Sequence, residues 1–125
     1  MTLQEALDLT DEMKPNMMSR KSKVKFVEEL EQLIYSEILL KHEHSEEYDT
    51  KPEYNEETDE GTVLLVPDPY SMVYVYWLMS KIDMQNQEDA RYNIDRAQFD
   101  TAYLTMADWW NRTYTPISRN RELRK

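Results

Sequence analysis

His42, Glu43, His44 and Glu46 form the tightest group of potential ligands in the chain, and they include both histidines. Imidazole and carboxylate together suit zinc. The spacing does not, because side chains two apart on a helix point to different faces and helical zinc pairs stand four apart. The expected reading is solvated residues at a helix end, where histidine also suits the helix dipole. The surrounding acids lack the alternating Asp/Asn ligands and central glycine of a calcium loop. Carboxylate pairs are numerous among 25 acids, but no shaped turn singles one out for acid–base work. Two histidines in an acidic helix tail do not build a Ser–His–Asp arrangement. The chain has no cysteine, which excludes thiolate metal sites, disulfides and cysteine nucleophiles. Its single glycine, Gly61, excludes the Gly-rich phosphate loops. No catalytic residue, metal or cofactor is expected, and a small enzyme is the least expected class.

Aromatic residues are the other concentration. Of 14, ten lie between Tyr70 and Tyr114. Base stacking is one use for such a group. At helical spacing, core or interface anchors are the expected role, and Tyr70, Tyr74, Trp77, Trp109 and Trp110 are the candidates. Adjacent helical residues diverge by about 100°, so Trp109 and Trp110 cannot share a side. One should pack inside, and the other against the loop, the preceding helix or a neighbouring subunit.

Charge is unevenly placed. The formal net charge is −10 over 125 residues. Between Glu43 and Glu60 there are nine acids against one base, Lys51, so the remainder is close to neutral. Lys14, Arg20, Lys21, Lys23 and Lys25 form a basic stretch, and Arg112, Arg119, Arg121, Arg124 and Lys125 a basic C-terminus. Exposed charge runs are normally solvated. Separated opposite charges also suit contact with a second copy or a complementary partner.

The elements that carry these residues read as all-α. Thr2 and Glu5 form a capping box, Leu3, Ala6, Leu7 and Met13 give one apolar face, and Pro15 stops the helix. Ser19 caps a second helix over about 20–41, with a stripe of Val24, Val27, Leu30, Leu33, Ile34, Ile38 and Leu39. Glu28, Glu29, Glu31 and Glu37 fall mainly off it. The acidic span 43–61 is a long loop or arm. Residues 62–66 read as a short extended segment, whose partner would be the arm or a neighbouring subunit. Asp68-Pro69 reads as a helix start, opening a helix apolar on all sides over 70–84, the central one. Asp89 starts the last helix, with a stripe of Tyr92, Phe99, Tyr103, Met106 and Trp110, and Pro116 ends it. The sum is a single helical domain of four helices over 1–125, with a long acidic loop and a C-terminal tail at 115–125. No run approaches a membrane span, and no signal peptide is expected at the start.

Leu64 to Pro116, together with the opening TLQEALDLTDEMKPN, resembles a family of small tailed-bacteriophage proteins. The shared marks are Pro67, Asp68, Pro69 and Tyr70, then Ile82, Asp83 and Asn86, then Tyr92 and Asn93, then Trp109, Trp110, Asn111, Arg112 and Thr113. By size and helical layout the chain is similar to the head–tail connector (adaptor) type. The resemblance skips most of the acidic arm.

That resemblance implies a non-enzymatic virion protein of the neck, assembled in the host cytoplasm. It implies a ring of about twelve copies, a dodecamer, built from head-to-tail contacts. The ring would dock below the portal protein, extend the DNA channel and receive a stopper or tail-completion protein. Arg112, Arg119, Arg121 and Arg124 would belong to the portal-docking tail. Glu46, Glu47, Asp49, Glu53, Glu56 and Glu57 would face the channel or a neighbour. DNA would pass without being held, because a carboxylate wall offers no counterion release. The rivals are a stopper or tail-completion protein, which would be β-rich, and an acidic phage regulator or DNA mimic acting through residues 43–60.

Overall fold

The computed structural model describes residues 1–42 and 51–113. Four α-helices follow in order: α1 (Leu3–Met13), α2 (Arg20–Glu37), α3 (Met72–Gln85) and α4 (Asp89–Thr113), with a 3-10 turn at Leu39–Lys41 after α2. The all-α expectation holds.

The capping box at α1 is formed. The Thr2 hydroxyl accepts the Glu5 N–H at 3.1 Å, and the Glu5 carboxylate accepts the Thr2 N–H at 3.3 Å. Leu3, Ala6 and Leu7 are buried, but Met13 is 47% exposed. The fourth buried position is Thr10, whose hydroxyl donates to the Ala6 carbonyl at 2.7 Å and so needs no outside partner. Lys14, preceding Pro15, is extended, as a residue before proline must be.

Helix α2 starts on Ser19, which accepts the Ser22 N–H at 3.1 Å. It is shorter than expected, ending at Glu37 before the tighter turn. Three assignments on its stripe are corrected. Leu33 faces outward at 41% exposure, whereas Glu28 is buried and Glu31 fully so. The inward direction is set by Val27, Leu30 and Ile34, and Glu31 lies four residues after Val27 on that side.

The partner of the extended segment is the start of the chain. The Leu3 N–H donates to the Thr62 carbonyl at 2.8 Å, the Leu64 N–H to the Met1 carbonyl at 3.0 Å, and Thr2 and Val63 form a single antiparallel bridge. Leu64 and Val66 turn into the core.

Asp68-Pro69 does not start a helix. The peptide between them is cis, the Tyr70 N–H closes a turn onto the Pro67 carbonyl at 3.0 Å, and the Ser71 hydroxyl donates to Asp68. Helix α3 begins only at Met72, so Tyr70 belongs to the turn.

Helix α3 is buried nearly all round, as its sequence predicts, through Val73, Tyr74, Val75, Trp77, Leu78, Met79 and Ile82. It ends in a Schellman motif. Asn86 is the cap, Gln87 takes a left-handed φ of 59°, its N–H reaches the Met84 carbonyl, and the Glu88 N–H reaches the Asp83 carbonyl at 2.9 Å. This reverses the chain, and α4 runs antiparallel along α3. Phe99 meets Trp77, and further along Trp109 meets Tyr70. On α4, Asp95, Phe99, Met106 and Trp110 are buried, while Tyr92 and Tyr103 are half-buried. All four helices contribute to one apolar cluster. Among the described residues, no helix is long and apolar enough to cross a membrane.

Candidate assembly interface

Two buried polar centres fix how the helices present their outer faces. The first is Glu31. Its carboxylate accepts the Tyr54 hydroxyl at 2.9 Å, the Leu65 N–H at 3.1 Å, and the Tyr74 hydroxyl. Tyr74 in turn accepts the Val66 N–H at 2.9 Å. One side chain thus ties α2, the residue 51–61 segment, the extended segment and α3 together. Burial pushes the Glu31 carboxyl up, against the opposing pull of those donors. Burial and the facing carboxylate push the Tyr54 and Tyr74 phenols up, so both remain donors.

The second centre joins α1, α3 and α4. Lys14 donates to Asp83, and to Asp95 at 2.5 Å. Asp83 is fully buried and Asp95 nearly so. Burial and the adjacent Asp95 push the Asp83 carboxyl up to about 6, with Lys14 opposing. Burial favours a neutral Lys14, but its bonds to the two acids outweigh that and hold the ammonium above its ordinary range. Two acids share one lysine here, and the excess negative charge helps Asp83 hold its proton.

The described part of the acidic arm is strapped down. The Tyr54 N–H donates to Glu28 at 2.7 Å, and Gln32 to the Pro52 carbonyl at 2.9 Å. Arg20 donates to the Glu56 and Thr58 carbonyls and to Gln4 at 2.6 Å. Glu53, Glu56 and Glu57 stay exposed, together with Asp59 and Glu60. The Gln4 N–H on the Glu60 carbonyl joins this edge to α1, whose Glu5, Asp8, Asp11 and Glu12 are also exposed. The acidity is therefore a ridge wider than the arm. Glu46, Glu47 and Asp49 lie outside the described residues.

The basic stretch is largely engaged inside the chain. Lys23 bonds Asp11 at 2.5 Å, Lys25 bonds Glu28 at 2.8 Å, and Lys14 and Arg20 are held as above. The Lys25 contact pulls the Glu28 carboxyl down, against burial. The C-terminal group is divided. Arg112 is exposed at the end of α4, while Arg119, Arg121 and Arg124 lie outside the described residues.

Among the aromatic candidates, Tyr74, Trp77 and Trp110 are core residues. The Trp77 indole N–H donates to the Phe26 carbonyl at 2.8 Å. Tyr70 and Trp109 are half-buried and stack on each other, 5.1 Å between centroids and 29° between planes. Trp110 is the inward member of the tryptophan pair, and Trp109 packs on the turn that precedes α3.

His42 is not a solvated end residue, which corrects the sequence expectation. It is buried, with Nδ1 2.6 Å from the Ile38 carbonyl and Nε2 2.8 Å from the Asn111 amide oxygen. It caps the turn after α2 and fastens it to α4. A groove of about 420 Å³ opens beside it, lined by Glu37, Lys41, Tyr103, Ala107 and Asn111. Among the described residues, no group of His, Asp and Glu is placed to hold a metal ion.

The outer side of α4 differs from the rest of the surface. Asp95 is buried, and Arg96 lies over Trp77 and Phe99 and bonds Asp100 at 3.2 Å. Beside the exposed Asp100 runs a strip of Ile94, Ala97, Gln98, Thr101, Leu104 and Thr105, all exposed and none charged. Sequence reading missed this strip because the eye follows apolar stripes, and this one is defined by missing charge. It missed Glu31 because the partners lie 23, 34 and 43 positions away.

Comparisons with protein-family models, with curated proteins and with solved structures return no match.

Proposed function

We propose that this chain is a structural protein of a tailed-bacteriophage neck, a head–tail adaptor that forms a ring below the portal and extends the DNA channel. The observation that carries the reading is the location of the motif residues. Tyr70 stacks on Trp109, Trp110 fills the core beside them, Asn111 meets His42, Asp83 sits in the buried Lys14 centre, and Asn86 caps α3. These marks of the resemblance hold helices in place, and Asn111 also lines the groove beside His42. Such a pattern suits a protein whose product is a shape. The exposed acidic ridge supplies a surface over which DNA slides without counterion-release attraction. Arg112 and the basic residues after it supply the portal-docking charge.

Electron microscopy of the purified protein mixed with its portal tests the reading. Rings capping the portal are the expected result, and a monomer that leaves the portal bare overturns it. A second reading, an acidic phage regulator that mimics DNA, is favoured by the continuation of the ridge from the arm onto α1. It predicts inhibition of a basic nucleic-acid enzyme, abolished by neutralising Glu53, Glu56 and Glu57.

A further inference from the structure

We propose that copies of this chain join through the outer face of α4 of one copy and the outer face of α2 of the next, packed antiparallel. The inference rests on the ring reading above and assigns its subunit contact.

Three observations lead there. The α4 strip of Ile94, Ala97, Gln98, Thr101, Leu104 and Thr105 carries no charge, with the exposed Asp100 flanking it, whereas α1 and α2 expose many charges. A copy carrying −10 meets least repulsion where a partner's surface is uncharged. Second, α2 exposes Glu29, Leu33 and Ser36 on one side, and Leu33 is its one outward leucine. Helices α2 and α4 both pack on α3 and not on each other, so the two outer faces are separate surfaces of one molecule. Contacts between two different surfaces are what a ring requires.

Third, the charges fix the direction. Antiparallel packing that seats Ile94 on Leu33 of the neighbour brings Arg91 to Glu37, Gln98 to Glu29 and Asp108 to Lys21. Exposed α4 positions 91, 94, 98, 101, 105 and 108 alternate spacings of three and four, the seam geometry of packed helices. Parallel packing on the same Ile94–Leu33 contact would set Arg91 beside Leu30 and carry Asp108 past the end of α2, so neither charge pair would form. The shallow groove beside Ala97 and Thr101, walled by Tyr76 and Ala102, gives the neighbouring helix room to approach.

The absence of cysteine makes a direct test clean. The double variant Leu33→Cys/Ile94→Cys, oxidised at increasing concentration, should give a ladder of covalent oligomers. Each single variant should stay unlinked. Because both positions are exposed, circular dichroism should match the parent. Arg91→Glu should weaken association at least tenfold, and Arg91→Glu/Glu37→Arg should restore it. A discrete dimer from Ile94→Cys alone would mean α4 meets α4 and would overturn the proposal. Oligomers in native mass spectrometry without the 33–94 bridge would overturn it while leaving the ring reading intact. A strict monomer on the portal as well as alone would overturn both.

Discussion

The Tyr74 hydroxyl stands between two segments, donating to the Glu31 carboxylate and accepting the Val66 N–H at 2.9 Å. Tyr74→Phe removes both bonds at a fully buried site and leaves Val66 without its acceptor. The expected loss is about 2 kcal/mol, since an orphaned buried group costs ~1–3 kcal/mol. Urea unfolding measures it. Glu31→Gln should cost a similar amount, and the double variant should lose less than the two losses added, because both act on one network.

The Lys14 centre predicts a pH dependence of unusual sign. Asp83 titrates near 3.8 when unfolded and at about 6 when folded, so the folded state holds more protons between those values. Stability therefore falls as pH rises from about 4 to about 6, and levels off above. Glu31, also raised, contributes with the same sign. The lowered carboxyls of Asp11 and Glu28 act the opposite way, but below their ordinary values of 3.8 and 4.5. Urea midpoints at pH 4.5 and 6.5 should rank the lower pH as the more stable. Asp83→Asn should flatten the difference, and an unchanged slope in that variant would count against the assignment.

Trp109 and Trp110 should separate in mutagenesis. Trp110→Ala opens a cavity in the core and should cost about 3–5 kcal/mol. Trp109→Ala removes the half-exposed stack on Tyr70 and should cost about 1–2 kcal/mol. Chemical denaturation of the two variants checks the order.

Tyr54 ties residues 51–61 to α2, so a variant without its side chain should loosen that stretch and leave the helices in place. Tyr54→Ala removes the Glu31 contact at 2.9 Å. Amide exchange should rise over residues 51–61 by about an order of magnitude or more, while α3 and α4 keep their protection. Exchange read by mass spectrometry decides, and equal loss of protection throughout would mean that the arm is part of the core.

Gln87 holds the left-handed position that closes α3, while Gly61, the sole glycine, has no positive φ. Gln87→Gly should therefore stabilise the chain by about 0.5–1 kcal/mol, reversing the usual effect of adding glycine. A higher urea midpoint with an unchanged slope is the expected readout.

What could be read from the sequence was whatever is decided within a turn or two. The capping box needs only Thr2 and Glu5, and the all-round apolarity of 70–84 marks α3 as central without knowledge of its neighbours. What failed depended on distant chain. Glu31 looks like a solvent-facing acid until Tyr54, Leu65 and Tyr74 arrive. Residues 62–66 look unpaired until Met1 and Leu3 lie beside them. Asp68-Pro69 has the composition of a helix start, but Ser71 takes the Asp68 carboxylate, and the turn closes on Pro67 instead. Residues that could meet another copy were the least legible, because an uncharged strip such as Ile94 to Thr105 is conspicuous only beside the charged faces around it.

The convergence on Glu31 also bears on how the chain folds. Its donors come from three segments, and no subset of them completes the carboxylate's partners. A chain with α2 docked on α3 but residues 51–66 still unplaced would enclose an acid short of donors, an unfavourable species that should not accumulate. Refolding should therefore follow a single exponential when reported by Trp77 in the core and by a label at position 53, with the arm arriving at the same moment as the helices it straps.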